Sequence, residues 1–103
     1  MKVPAGKPFF AGLFEGGRKV FKPYIDAKKV QTFKDGAELA PGMVAVTATG
    51  HTVGHTMIRI ANGNGQLLIW TDIVHSTALQ FPEPERSIAF DLDPAQAIAT
   101  RKK

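Results

Sequence analysis

The sequence contains no cysteine. This absence excludes disulfide bonds, thiolate metal ligands and a cysteine nucleophile, so any metal or catalytic site must use other side chains. Long apolar runs are missing too, since no stretch approaches the roughly 18 residues that a membrane span needs. Residues 1–8 also lack the apolar segment of a secretory signal. The sequence therefore predicts a soluble chain without membrane contact and indicates no particular compartment.

Acidic residues are fewer than basic ones: nine Asp and Glu against 13 Lys and Arg give a net charge of +4. The basic residues gather between positions 18 and 34 and again at residues 101–103. A nucleic-acid surface would be one explanation, but no aromatic-interleaved sheet, helix-turn-helix spacing or Arg-rich groove accompanies the charge. We therefore expect no nucleic-acid partner and interpret the charge as a solvated helix face and a cationic helix C-terminus.

The 103 residues are expected to form one domain with a modest core, since a chain of this size buries roughly 60 to 70 per cent of its unfolded surface. Helical spacing of apolar residues predicts a helix over residues 9–22, which Pro23 should bend or end, with a possible further turn at 24–27. A second helix should begin at Pro94, with Asp93 as its N-cap, and run to Arg101, and a loop should span residues 76–86. Strands are predicted at residues 30–34, 38–39, 43–49, 56–61, 66–71 and 87–91.

The strands at residues 56–61 and 66–71 should form a hairpin, because the Asn and Gly residues at 62–65 tolerate the backbone angles of a tight turn. A symmetric turn predicts four facing pairs: Ile60–Leu67, Ile58–Ile69, Met57–Trp70 and His55–Asp72. Both faces of this hairpin are then apolar, and such a sheet needs a covering layer on each side. Since the rest of the chain looks able to cover only one face, we expect either a second copy or a larger two-sheet fold.

All three histidines, His51, His55 and His75, lie between positions 51 and 75, together with Asp72 at the end of an apolar strand. Histidine and carboxylate grouped in this way are typical of a metal site. Structural roles compete with ligation for each residue. His51 could stabilise a turn, His55 could support Asp72 by a hydrogen bond, and His75 could be an ordinary loop histidine.

The motif Gly-His-Thr-Val-Gly-His at residues 50–55, followed by a hairpin and a strand ending in Asp72, resembles the metallo-β-lactamase superfamily. Segments of the tail, at residues 72–75, 79–81, 90–93 and 99–101, are similar to the branch that contains methyl parathion hydrolase and related lactonases. Val53 stands where proline is common and Thr71 where glycine often precedes the aspartate. The upstream His-x-His-x-Asp-His motif and a later histidine of that family do not occur in this sequence.

The resemblance implies an α+β fold: a mostly antiparallel sheet with flanking helices, as in one half of the αββα sandwich, without the N-terminal half or the extreme C-terminus. It also implies zinc, with His51 as a ligand of the first metal and Asp72 as a bridge between two, while His55 and His75 are lesser ligand candidates. No catalytic residue is assigned. Three hypotheses follow: an inactive portion of a di-zinc hydrolase, a homodimer that pools His51 and Asp72 around a metal, and a small metal-free binding or structural domain.

Overall fold

The computed structural model describes residues 9–103. These residues divide into two compact units, one that extends to Thr32 and one that runs from Phe33 to Lys103. The first unit is built on one long helix, and the second contains the sheet and all three histidines. Among the residues described, no helix is both long and apolar enough to cross a membrane.

Helix α1 covers Phe9–Asp26 and begins where the sequence predicted. It continues past the predicted end, with Pro23 inside the helix. A proline removes one backbone donor from a helix interior, but an ion pair spaced one turn apart spans this point, with Lys22 Nζ 2.8 Å from Asp26 Oδ2. The helix ends just before Lys28, whose φ of 55° is incompatible with a right-handed helix.

The strand predicted at residues 30–34 is wrong, because this segment has no regular structure. Val30 is 44% exposed and Phe33 is 52% exposed, and none of the strands in the described part of the chain pairs with this segment. A strand needs a partner for its backbone groups, and the loose alternation of this segment did not reveal that the partner is missing.

The second unit is organised around a four-stranded antiparallel sheet in the order β1-β2-β3-β4. Its strands are β1 at Glu38–Ala40, β2 at Met43–Thr47, β3 at Thr56–Asn62 and β4 at Gly65–Ile69. The β-branched and apolar residues of β2 and β3 favour these central positions. The predicted α+β class with a mostly antiparallel sheet is confirmed.

The hairpin of β3 and β4 confirms the pairs Ile60–Leu67 and Ile58–Ile69. Its turn is shorter than predicted, because Asn62 pairs with Gly65 and leaves a two-residue loop that begins at Gly63, where φ is 56°. The ladder stops at Ile69, and the pairs predicted beyond it are wrong. A 3-10 turn over Thr71–Ile73 replaces the end of the strand.

The C-terminal part holds helix α2 at Thr77–Gln80 and helix α3 at Pro94–Arg101. The predicted start of α3 is confirmed, since the Asp93 side chain accepts a hydrogen bond from the Gln96 backbone N–H. The strand predicted at residues 87–91 is wrong. A turn forms there instead, in which the Asp91 N–H donates to the Ile88 carbonyl over 3.1 Å.

The apolar core of the second unit is small, since its buried apolar residues are Ala45, Ala48, Ile73 and Ala97. Larger apolar side chains are exposed instead, and every residue of β4 is exposed. Soluble monomers rarely leave large contiguous apolar surfaces uncovered. The sheet thus lacks the covering that its sequence pattern demands.

Candidate metal centre

His51 lies on a bend that helix α3 holds in place. Gly50 adopts φ of 131°, and a side chain there would overlap the backbone nitrogen of Ala97. The backbone carbonyl of Gly50 accepts a hydrogen bond from Asp93 N–H (2.9 Å), and that of His51 accepts one from Leu92 N–H (3.0 Å). The glycine before His51 is therefore required both by its backbone angle and by the close approach of α3.

The His51 ring is held between two carboxylates. Its Nδ1 lies 3.1 Å from Asp91 Oδ1, and its Nε2 lies 4.0 Å from Asp72 Oδ2. A carboxylate accepts hydrogen bonds, so Nδ1 carries the proton in the neutral ring and Nε2 keeps its lone pair. The His51 side chain is 13% exposed, whereas that of Asp72 is 70% exposed. An electron-pair donor and a carboxylate thus converge at an accessible point.

Asp72 is positioned through the ring of His55. The backbone N–H of Asp72 donates to His55 Nε2 over 3.1 Å, and His55 Nδ1 lies 3.0 Å from the carbonyl oxygen of Ala48. The Thr71 hydroxyl also lies 2.8 Å from Nε2. Because the carbonyl can only accept and the backbone N–H can only donate, the neutral His55 ring carries its proton on Nδ1. Both ring nitrogens of His55 are therefore engaged in hydrogen bonds.

Burial lowers the pKa of His55, the nearby His51 lowers it further, and the hydrogen bond to Ala48 opposes these effects. Burial disfavours the charged imidazolium, so the neutral form that accepts from Asp72 is the favoured one. His55 is 9% exposed. A buried, neutral His55 can therefore hold the backbone of Asp72 by accepting its N–H.

His75 borders the same point from the exposed side. Its ring centre lies 5.0 Å from that of His51, while the ring centre of His55 lies 5.6 Å from His51. The backbone N–H of His75 donates to Oε1 of Gln80 over 2.6 Å. The structure thus brings all three histidines and Asp72 together, as their spacing in the sequence suggested.

Three buried polar residues behind the site were not identified from the sequence. Asp91 is fully buried beside His51, and Arg101, whose side chain is 1% exposed, lies behind it. Gln80 is 4% exposed and joins the backbone of His75 to the carbonyl of Arg86. Asp91 was predicted to end a strand, and Arg101 to complement a helix end. Since both are long-range partners, only the fold brings them to the site.

The converging pair fits a metal ion only in part. At a tetrahedral zinc ion with bonds of about 2.0–2.2 Å, two ligand atoms lie about 3.4 Å apart. His51 Nε2 and Asp72 Oδ2, which are 4.0 Å apart, would therefore have to approach each other by about half an ångström to share one ion. Three protein ligands are the usual minimum for a catalytic zinc. Within residues 9–103, no group of three or more His, Cys, Asp or Glu side chains could hold a metal ion. The described part of the chain therefore supplies an incomplete donor set.

The chain matches no protein-family model and no curated protein. Several solved structures are similar to it. The hydrolase AbOPH of the beta lactamase superfamily shares 31% identity over 96% of this chain, with a TM-score of 0.86. A probable metal-dependent hydrolase from Staphylococcus aureus shares 28% identity over 75% of the chain, with a TM-score of 0.67. The dizinc quorum-quenching lactonase AidC, in complex with a product, shares 29% identity over 82%, with a TM-score of 0.69.

The fold of this chain is thus that of a part of the similar solved structures, which are hydrolases of the beta lactamase superfamily and a lactonase. The resemblance to the metallo-β-lactamase superfamily and its lactonases is thereby confirmed. The chain spans 34%, 27% and 29% of the lengths of the three similar structures. Between about two thirds and three quarters of each of those proteins therefore has no counterpart in these 103 residues.

Proposed function

We propose that this chain is a portion of a di-zinc hydrolase of the metallo-β-lactamase superfamily, in which His51 and Asp72 are metal ligands. The observation that carries the proposal is their convergence, with His51 Nε2 4.0 Å from Asp72 Oδ2. Because the proton is on Nδ1, the Nε2 atom keeps a lone pair that can bind a metal ion. That such hydrolases, including a dizinc lactonase, share this fold adds to the proposal.

The residues have separate roles in this proposal. The resemblance assigns His51 to the first metal and Asp72 to the position between two metals. His75 lines the open side, and His55 holds the backbone of Asp72. Zinc, when bound, lowers the pKa of a water ligand towards about 7 and so supplies hydroxide for hydrolysis.

The isolated chain is inactive in this proposal, because the remaining ligands belong to polypeptide outside residues 1–103. Two protein donors leave zinc affinity low. The 103 residues are accordingly part of a larger metallo-β-lactamase-like domain whose N-terminal half and extreme C-terminus lie elsewhere. The small apolar core and the uncovered strand β4 support this proposal.

A chimeric protein tests the proposal. Replacing the matching third of AbOPH with this chain should give a folded protein that binds zinc and hydrolyses the substrates of AbOPH. In the chimera, His51→Gln and Asp72→Asn should each lower zinc content and activity. The control is His75→Gln, which should retain the metal because that side chain is not required as a ligand. A folded chimera in which His51→Gln and Asp72→Asn leave zinc content unchanged would contradict the proposal.

A second function is favoured by the incomplete donor set in residues 9–103. In this alternative the chain is a small binding or structural domain, either metal-free or with one metal shared between two copies. Native mass spectrometry of the chain with zinc separates the possibilities. One zinc ion held between two copies supports sharing, absence of bound metal supports the metal-free domain, and weak loading of each copy independently supports the hydrolase portion.

A further inference from the structure

A buried row of three side chains leads from helix α3 to the candidate metal centre. Arg101 Nη1 lies 3.6 Å from Asp91 Oδ2, and Asp91 Oδ1 lies 3.1 Å from His51 Nδ1. Arg101 and Asp91 are 1% and 0% exposed at their side chains, and His51 is 13% exposed. Asp91 is 0% exposed over the whole residue, backbone included.

Such a buried carboxylate is costly to keep unless its charge is balanced and its oxygens are hydrogen-bonded. Both conditions hold here. The guanidinium of Arg101 balances the charge, and the backbone N–H of Ile88 donates to Oδ2 over 3.3 Å. The buried apolar residues of the unit are three alanines and one isoleucine, and the acid shares the interior with the buried polar residues His55, Gln80 and Thr100.

The partners of Asp91 fix the direction of its bond to His51. A carboxylate that already receives a backbone N–H and faces a guanidinium is an acceptor, so the His51 ring must donate from Nδ1. The lone pair is then on Nε2, the atom that faces Asp72. With the opposite tautomer, a proton would occupy the position where a metal must bind.

Arg101 also braces the second donor. Its Nη1 donates to the backbone carbonyl of Ile73 over 3.0 Å, directly after Asp72 in the chain. Two more of its donors reach the carbonyls of Pro84 (3.0 Å) and Arg86 (3.1 Å). One arginine of α3 thus connects the backbone beside Asp72 with the carboxylate that holds His51.

We infer that Asp91, with Arg101 behind it, is a positioning residue that fixes His51 as the Nδ1-protonated tautomer and directs Nε2 towards Asp72. The importance of this role for metal binding rests on the proposed function, whereas the tautomer itself does not. Substitution of a carboxylate that is hydrogen-bonded to a metal-binding histidine typically lowers metal affinity by about 10–100-fold. In the chimera, Asp91→Asn should weaken zinc binding by a factor of that order, about 10–100.

The tautomer is measured on the wild-type chain without metal by ¹⁵N NMR of the imidazole rings, at a pH above the ordinary histidine pKa of about 6.5. His51→Gln assigns the signals. We expect the Nδ1 of His51 in the protonated range and its Nε2 in the unprotonated range. In Asp91→Asn, whose amide can also donate, a population of the Nε2-protonated form should appear. A wild-type His51 protonated on Nε2 would overturn the inference.

Asp93→Asn is the matched control. This variant removes the same negative charge two residues away from Asp91. The Asp93 side chain caps α3 and accepts a hydrogen bond from the Gln96 backbone N–H rather than from His51. Asparagine caps helices about as well as aspartate, so this variant should keep the wild-type tautomer. An equal change of tautomer in both variants would contradict a specific role for Asp91. If Asp91→Asn does not fold, the wild-type spectrum still decides the tautomer. Since no metal is added, this result is independent of whether zinc binds.

Discussion

At the scale of single residues, His51 and His55 carry the same side chain on the same turn but have different surroundings. His51 donates to a buried carboxylate and keeps its other nitrogen accessible. His55 donates a hydrogen bond from Nδ1 to a backbone carbonyl, and its Nε2 accepts one from a backbone N–H. The partner of each Nδ1 proton therefore leaves one histidine available to a ligand and the other committed to the fold.

Removal of the His55 ring tests this difference. In His55→Ala the carbonyl of Ala48 and the N–H of Asp72 both lose their partner. An unsatisfied buried polar group costs about 1–3 kcal/mol, and we expect a loss of folding free energy in that range. His75→Ala, with an exposed ring, should change it by less than about 0.5 kcal/mol. Urea unfolding measures both, and equal losses would contradict the assignment of a structural role to His55.

The sequence predicted which residues meet at the site but not how they meet. The sequence was sufficient to predict that His51 and Asp72 converge, whereas the place of His75 was left open between a pocket and an ordinary loop. The predicted opposition of His55 and Asp72 along a strand ladder was wrong, because Thr71 takes a φ of 51° and the chain leaves the sheet. A positive φ is uncommon at a non-glycine residue, and the apolar pattern of the strand does not indicate it.

At the scale of elements, helix α3 contacts both the histidine turn and the buried acid behind it. It begins at a cap that sequence alone identified, packs its first turn on Gly50, and sends Arg101 from its last turn to the buried acid. The hairpin and α3 were predictable because tight turns and caps are local signals. Strands at residues 30–34 and 87–91 were predicted in error because strand formation depends on partners that a local pattern does not contain.

The contact between α3 and the histidine turn gives a prediction at Gly50. Gly50→Ala places a methyl group against the α3 backbone at Ala97 and strains a φ of 131°. The strain alone should cost about 1–3 kcal/mol, and displacement of α3 adds to it. Gly54→Ala is the matched control, since a side chain at Gly54 meets nothing within 4 Å.

The two glycine variants are compared by thermal or urea unfolding and by the NMR signals of His51. We expect Gly50→Ala to lose stability and to shift the His51 ring, and Gly54→Ala to do neither. A Gly50→Ala protein with unchanged stability and unchanged His51 signals would show that α3 does not hold the turn.

At the scale of the whole molecule, the second unit buries little apolar surface compared with the number of large apolar residues in and near its sheet. Leu67, Leu68, Ile69 and Trp70 are 57%, 44%, 41% and 37% exposed along the edge strand and just beyond it. Edge strands usually carry charge or proline to prevent pairing with other chains, and β4 carries neither. The similar solved structures are about three times as long, which is consistent with further polypeptide covering this surface.

Strand β4 should therefore drive association of the isolated chain. Leu67 and Ile69 lie on the same face of the sheet, because every second residue of a strand points to the same side. Leu67→Lys combined with Ile69→Lys should therefore decrease the fraction of associated chain that sedimentation velocity measures. Leu79→Lys is the control, because Leu79 is similarly exposed at 54% but lies outside the sheet. A wild-type chain that stays monomeric, or a control that decreases association equally, would contradict this prediction.

A zinc titration of the isotope-labelled chain, followed by NMR, is the most direct test of the account. Zinc should bind weakly and shift the ring signals of His51 and the signals of Asp72 before those of any other residue. His51→Gln and Asp72→Asn should each reduce or abolish these shifts. Zinc-induced shifts centred elsewhere, or shifts at the site that survive both substitutions, would contradict the claim that these two residues are the metal donors of this chain.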